Sequence, residues 1–239
     1  MPELTIVIPA KNETALLPKL LTSLTKQSYL RNRNTKVFIA DAGSTDGTPG
    51  AALAFRDRLD IEVIRGGLPS VGRNAGAQVA QGPYVLFLDA DVELRDETLI
   101  ARAMERMRDR QLHCMTTNIW CSSGTALDRA LYLANNFAQW LSQFVSPFST
   151  GMFMLFDLER FRELGGFHEQ ALFAEDYLLS KKVSPRRFAI VRGGAYTTNR
   201  RFRKTGHLKM IGLFLRTALN SSNEQYFLRA QHQEYWDAK

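Results

Sequence analysis

Four short apolar runs, each stopped by polar or turn-forming residues, constrain this chain more than any other feature. Leu4–Ile8 ends at Pro9, Val37–Ala40 at Asp41, Ile61–Ile64 at Arg65 and a Gly-Gly pair, and Tyr84–Leu88 at Asp89. Each run is too short for a helix and is bounded by turn residues, the pattern of a strand buried on both faces. Helical patterns fill the gaps. Leu16, Leu17, Leu20, Leu21 and Leu24 share one face, and Thr48–Leu59 and Val71–Ala80 predict two further helices. Strands alternating with helices build βαβ units and an α/β sheet. Beyond residue 95 the pattern predicts helices over Thr98–Arg108, Leu158–Leu164 and Asp176–Lys182. Strands are predicted over His113–Trp120 and Met152–Phe156, and an edge strand over Phe188–Val191. No internal repeat or linker divides the 239 residues. The expectation is one α/β domain with a mixed, mainly parallel sheet and a helical C-terminal extension. A chain of this size buries a sizeable core without cross-links, and Cys114 and Cys121 are expected as free thiols.

The polar residues after the four strands are Pro9–Glu13, Asp41–Thr48, Arg65–Asn74 and Asp89–Glu93. Ligands of open α/β sheets bind beyond the carboxyl ends of the strands, so the four loops are expected around one crevice. In Asp89-Ala90-Asp91, residues i and i+2 of an extended segment point the same way. Two close carboxylates are costly without a cation between them. A hard divalent ion, Mg²⁺ or Mn²⁺, shared with phosphate oxygens suits the pair, and Glu93 extends the acidic register. In Asp41-Ala-Gly-Ser-Thr-Asp46-Gly-Thr, Thr45 or Asp46 serves as a helix cap, while Asp41 is placed to accept from a base N–H or a ribose hydroxyl. The segment Gly66 to Gly76 is no Walker loop, because Gly72 is followed by Arg73-Asn74 rather than Lys-Ser/Thr. It reads as a glycine loop ahead of a helix whose N-terminus and Arg73 suit an anionic ligand. Asp176 opens a helical pattern, where the dipole favours its charged form.

Charge adds a location. The net charge is +7, and from Arg186 to Arg229 there are ten Lys or Arg against one acid, Glu224. An anionic partner is therefore expected near the C-terminal quarter. The basic stretch Asn199–His207 reads as a loop whose cations neutralise a diphosphate.

The ordered segments TIVIPAKNE, IADAGSTDGT, SVGRNAGAQVAQG, VLFLDADVE and GGFHEQALFAEDYLLS resemble the family 2 glycosyltransferases of GT-A fold, over roughly residues 3–205. The resemblance implies a single GT-A domain, with residues 1–95 as the nucleotide-binding half, 96–205 as the acceptor half and 206–239 as the extension. It implies non-processive transfer of one sugar from a nucleotide diphosphate donor, with UDP as the expected nucleotide, with inversion and with Mn²⁺ or Mg²⁺. By motif, Pro9, Ala10 and Glu13 would line the nucleotide pocket, and Asp41 and Arg73 would contact the base or hold the nucleotide. Asp89 would bind ribose or metal, Asp91 the metal, and Asp176 would be the base, with Glu175 beside it. Arg200 and Arg201 would meet the diphosphate, and His207 would add a metal ligand. Gly165-Gly166-Phe167 and Ser149-Thr150-Gly151 would shape the acceptor wall. His113, His168 and His232 are read as structural or surface residues.

Other classes fit less well. A nucleotidyltransferase of similar architecture calls for a Gly-rich basic loop after the first strand, and the loop here is PAKNE. A nucleic-acid-binding protein is suggested only by charge, without a reader motif, so no nucleic acid is expected. The QxxRW motif of processive synthases is missing after Asp176. No leader pattern or run of 18 apolar residues occurs, so a cytoplasmic protein is expected. Ala126–Val145, with Tyr132, Phe137, Trp140 and Phe144, reads first as a core helix. Together with Leu208–Leu219 and the basic residues it keeps open a lipid-linked acceptor and peripheral contact at the cytoplasmic face of the membrane. A sugar or a small molecule remains the alternative acceptor.

Overall fold

A computed structural model describes residues 2–31, 34–171, 173–221 and 223–228. His232 and residues 229–239 of the extension lie outside the described residues. Eight strands form one sheet: β1 Leu4–Ala10, β2 Thr35–Asp41, β3 Asp60–Arg65, β4 Tyr84–Leu88, β5 Glu93–Leu94, β6 Cys114–Cys121, β7 Phe153–Asp157 and β8 Phe188–Thr197, in the order β3-β2-β1-β4-β7-β6-β8-β5. The helices are α1 Leu17–Lys26, α2 Ser28–Arg31, α3 Thr48–Leu53, α4 Pro69–Val79, α5 Leu99–Asp109, α6 Ala126–Ser142, α7 Leu158–Glu163, α8 Glu175–Ser180, α9 Arg200–Thr205, α10 His207–Leu219 and α11 Glu224–Phe227.

The first four apolar runs form a parallel block. β1 pairs with β2 and β4, and β2 with β3, all parallel. Every residue of β1 is buried, which is why it lacks a polar face. Leu17, Leu20, Leu21 and Leu24 of α1 are fully buried on one face of this block. On the other face α4 lies close to β1, because Gly76 carries no side chain: a Cβ there would sit 2.3 Å from Val7 Cγ1. Register does the positioning, since Ala10 pairs with Asp41 and Asp41 with Arg65. The ends of three strands therefore face one side, as the sequence implies.

β7 then runs antiparallel to β4 and β6, and β8 runs parallel to β6. Two expectations are corrected here. β8 is ten residues long and lies inside the sheet, because the two-residue β5 covers its outer side. The basic stretch after it is helical over Arg200–Thr205, its buried Phe202 packing edge-on against Tyr132 at 5.5 Å. The helix read over Thr48–Leu59 is also shorter than read: α3 stops at Leu53 and the chain reaches Leu59 through tight turns. Cys114 and Cys121 are free thiols.

Candidate active site

The site begins with loops that brace one another. The Asn12 N–H donates to Ser44 Oγ, the Thr45 N–H to Asn12 Oδ1 and the Thr14 N–H to Asp46 Oδ2. The loops after β1 and β2 are thereby one wall. Asp46 also accepts from the Thr48 N–H and hydroxyl, so its role is bracing. Asp41 Oδ2 accepts from the N–H groups of Gly43 and Ser44, while its Oδ1 is buried and without a partner. A cavity of about 500 Å³ opens there, lined by Asp41, Ala42, Gly43, Val63, Ile64, Arg65 and Gly66. An orphaned buried acceptor on such a wall is chemically suited to an N–H donor from a ligand.

Arg73 is the hinge pin of the arrangement. The sequence places it at the nucleotide; the structure buries it, 2% exposed, between two carboxylates. Its Nη2 donates to Asp89 Oδ1 at 2.6 Å and its Nη1 to Glu175 Oε1 at 2.7 Å. Phe167 lies 5.2 Å from the guanidinium carbon, so the Gly-Gly-Phe segment packs behind Arg73. Burial alone would lower the Arg73 pKa, but Asp89, Glu175 and Asp176 outweigh it and hold the group firmly charged. Only glycine fits at position 151: a Cβ would stand 2.2 Å from Arg73 Nη2.

Gly151 also meets the expected base. Its N–H donates to Asp176 Oδ2 at 2.7 Å, and the Tyr177 N–H donates to Oδ1 at 2.8 Å. Desolvation, and next the Glu175 charge, push the Asp176 carboxyl up to about 7 against the pull of Arg73 and the two N–H donors. A carboxyl poised there exchanges a proton at neutral pH. The residue before this pair, Ala174, is left-handed at φ 56° and ψ 32°. Such strain in a residue with a Cβ is concentrated at functional sites.

Opposite this, Asp91 lies in an acidic pocket. Burial, then Asp89 and Glu13, raise its carboxyl, partly offset by Arg200 and Arg201. Glu13 is buried and takes both guanidinium nitrogens of Arg200, at 2.6 and 3.2 Å, and Arg200 Nη2 stands 3.5 Å from Asp91. The sequence-read diphosphate cation thus sits on the sequence-read nucleotide carboxylate. Oxygen-only donors crowded enough to raise Asp91 fit a hard divalent cation, which Asp91 and Asp89 would hold. Among the described residues no group of three potential ligands stands ready, so such an ion would draw its other ligands from phosphate and water. The sequence offers His207 as a further ligand; in the structure its Nε2 is 2.7 Å from Asp128 Oδ1, and its ring stacks on Phe202. Glu93 pairs with Arg95 on the exposed edge.

Asp128 was not legible as a hub. Burial would raise its carboxyl, but hydrogen bonds from Asn199, His207 and Thr125 hold it well below the usual range. These contacts anchor α9 and α10 to the start of α6. Its one sequence signal is Thr125-x-x-Asp128, a reciprocal helix cap in the structure.

A family model described as Glycosyl transferase family 2 matches residues 5–165, about two thirds of the chain. The chain belongs to glycosyl transferase family 2. Validoxylamine A glucosyltransferase of Streptomyces hygroscopicus subsp. jinggangensis is 35% identical over 96 residues, 38% of this chain and 22% of that one. The chain spans about a fifth of the length of such curated relatives. Among solved structures, S. aureus TarS 1-349 in complex with UDP-GlcNAc aligns with TM-score 0.63 at 20% identity, over 82% of this chain and 58% of that one. Mannosyltransferase PcManGT from Pyrobaculum calidifontis, in complex with GDP-Man and Mn²⁺, aligns with TM-score 0.65 at 20% identity, over 90% of this chain and 64% of that one. The fold of this family 2 member is GT-A.

Proposed function

We propose that this family 2 domain transfers one sugar from a nucleotide diphosphate donor to an acceptor hydroxyl, with inversion, Asp176 being the base. The observation that carries the reading is the Arg73 bridge. It ties the strand-end pair Asp89/Asp91, on the donor side, to Glu175 and Asp176, on the acceptor side. UDP is the expected nucleotide; the neighbour bound to GDP-Man keeps guanosine as the alternative.

In this reading Asp41 Oδ1 accepts from the base, with Pro9 and Ala10 beside it at the end of β1. Asp176 takes the proton of the acceptor hydroxyl as its oxygen bonds to the anomeric carbon. The bond from that carbon to the diphosphate oxygen breaks, and the electron pair leaves with the diphosphate. A single displacement inverts the centre. Asp91 and Asp89 would hold a divalent ion, which would supply positive charge to the leaving group. Arg200 and Arg201 add to it when Arg200 exchanges Glu13 for phosphate. Glu175 holds Arg73 and so positions Asp176.

Calorimetric titration with UDP, GDP and dTDP, with and without Mn²⁺, tests the donor side. UDP is expected to bind with Mn²⁺ and to lose at least about tenfold without it or in Asp91→Asn. Equal binding in all three conditions would remove the metal assignment. No nucleotide binding at all would leave only the fold. Asp176→Asn is expected to keep UDP binding and lose transfer.

A further inference from the structure

α6 is inside out. Its buried stripe is Asp128, Tyr132, Asn136 and Gln139, three of them polar. Asn136 takes the Ile119 N–H on its Oδ1 and donates to the Ile119 carbonyl, and Gln139 donates to the Thr117 carbonyl. The helix is fastened to β6 by amides. The apolar residues of α6 and of the turn after it point away: Leu133, Phe137 and Trp140, then Phe144 and Val145, are exposed, Phe137 by 61% and Phe144 by 64%. They form an ordered ladder, Phe137 stacked on Trp140 at 6.0 Å and Trp140 edge-on to Phe144 at 5.4 Å. α10, tied to the start of α6 by His207–Asp128, exposes Leu208, Leu215 and Leu219 as well. An exposed aromatic ladder such as Phe137–Trp140–Phe144 marks an interaction site.

Charge selects the occupant. Segments 126–145 and 200–219 hold seven Lys or Arg and one acid, Asp128, which is buried. Arg129, Arg203, Lys204, Lys209 and Arg216 are exposed. Two copies of this chain meeting through such a face would bring like charges together. Aromatic and aliphatic side chains flanked by cations match instead the interface of an anionic bilayer. No helix among the described residues is long and apolar enough to cross a membrane, so the contact is from the surface. The chain leaving α6 reaches the base directly: Phe148 packs on Tyr177, and Gly151 bonds Asp176.

We infer that the α6–α10 face seats in the headgroup layer of an anionic lipid bilayer. Co-sedimentation of the full chain with phosphatidylglycerol/phosphatidylcholine vesicles, against phosphatidylcholine alone, tests this. The chain is expected to pellet with the anionic vesicles only. The triple variant Phe137→Ser, Trp140→Ser, Phe144→Ser is expected to bind at least about tenfold more weakly, and so is the double variant Lys209→Glu, Arg216→Glu. Circular dichroism of each variant reports folding. Two variants are used so that misfolding of one leaves the other as the test. A wild-type chain left in the supernatant overturns the inference. So does undiminished vesicle binding by both variants. A dimer in solution that the aromatic substitutions dissociate also overturns it, because the face then covers a second copy. Vesicle binding without UDP binding would instead strike the transferase reading and leave the docking face standing.

Discussion

Arg73 and Asp176 carry opposite consequences of burial. Arg73 is buried with both partners in place, so removing it leaves Asp89 and Glu175 facing each other without a cation. Arg73→Leu is expected to cost about 3–5 kcal/mol, read as a lower denaturant midpoint at unchanged slope. For Asp176 the protonated form is favoured by desolvation and by Glu175, and the pKa rises to about 7. A base must be ionised, so transfer is present above that value and lost below it, about tenfold per pH unit. A pH–rate profile with a rising limb centred near 7 is expected, and a limb near 4 would show that the acting carboxyl is not raised. The residues at strand ends were legible because an apolar run that stops at a carboxylate has few other uses. The Arg73–Glu175 pair was not, because 102 positions separate the partners and neither segment carries a mark of the other.

At the scale of elements, close approach is set by missing side chains. α4 lies on β1 at Gly76, where a Cβ would stand 2.3 Å from a valine methyl. Gly76→Ala is expected to destabilise by about 1–3 kcal/mol. Gly50→Ala, in a helix position with nothing within 4 Å, is expected to be neutral or to stabilise by about 0.4–1 kcal/mol. Paired melts of the two variants separate packing from propensity. The parallel block was readable from period and length. α6 was readable as a helix but not in its facing, since periodicity gives the angle between two faces and no sign of which one meets the sheet. Tyr132 is buried as the core reading has it, while Phe137, Trp140 and Phe144 are exposed. The polar stripe that is buried looks in sequence like any solvated face. β8 was misjudged in the same way: its outer neighbour β5 is two residues long and too short to leave a pattern.

For the whole molecule, donor binding is folding energy. A ligand at a hundred times its Kd adds about 2.7 kcal/mol, which for a chain of this size raises Tm by about 5–10 °C. A melt with UDP and Mn²⁺ is expected to show that rise and Asp91→Asn to lack it; an equal rise in the variant would separate nucleotide binding from the metal.

The Glu13–Arg200 pair also fixes an order of events in the making of the protein. Its members are 187 residues apart, and ribosomes add about 5–20 residues per second. On a ribosome, then, the Glu13 carboxylate waits about 10–40 s for its guanidinium. From the addition of Asp91 onward, the nascent β1–β4 block carries Glu13, Asp89 and Asp91 without Arg200 to offset them. Of the three ion pairs Arg73–Asp89, Arg73–Glu175 and Glu13–Arg200, the one that closes over the acidic residues is the one whose second partner is made latest.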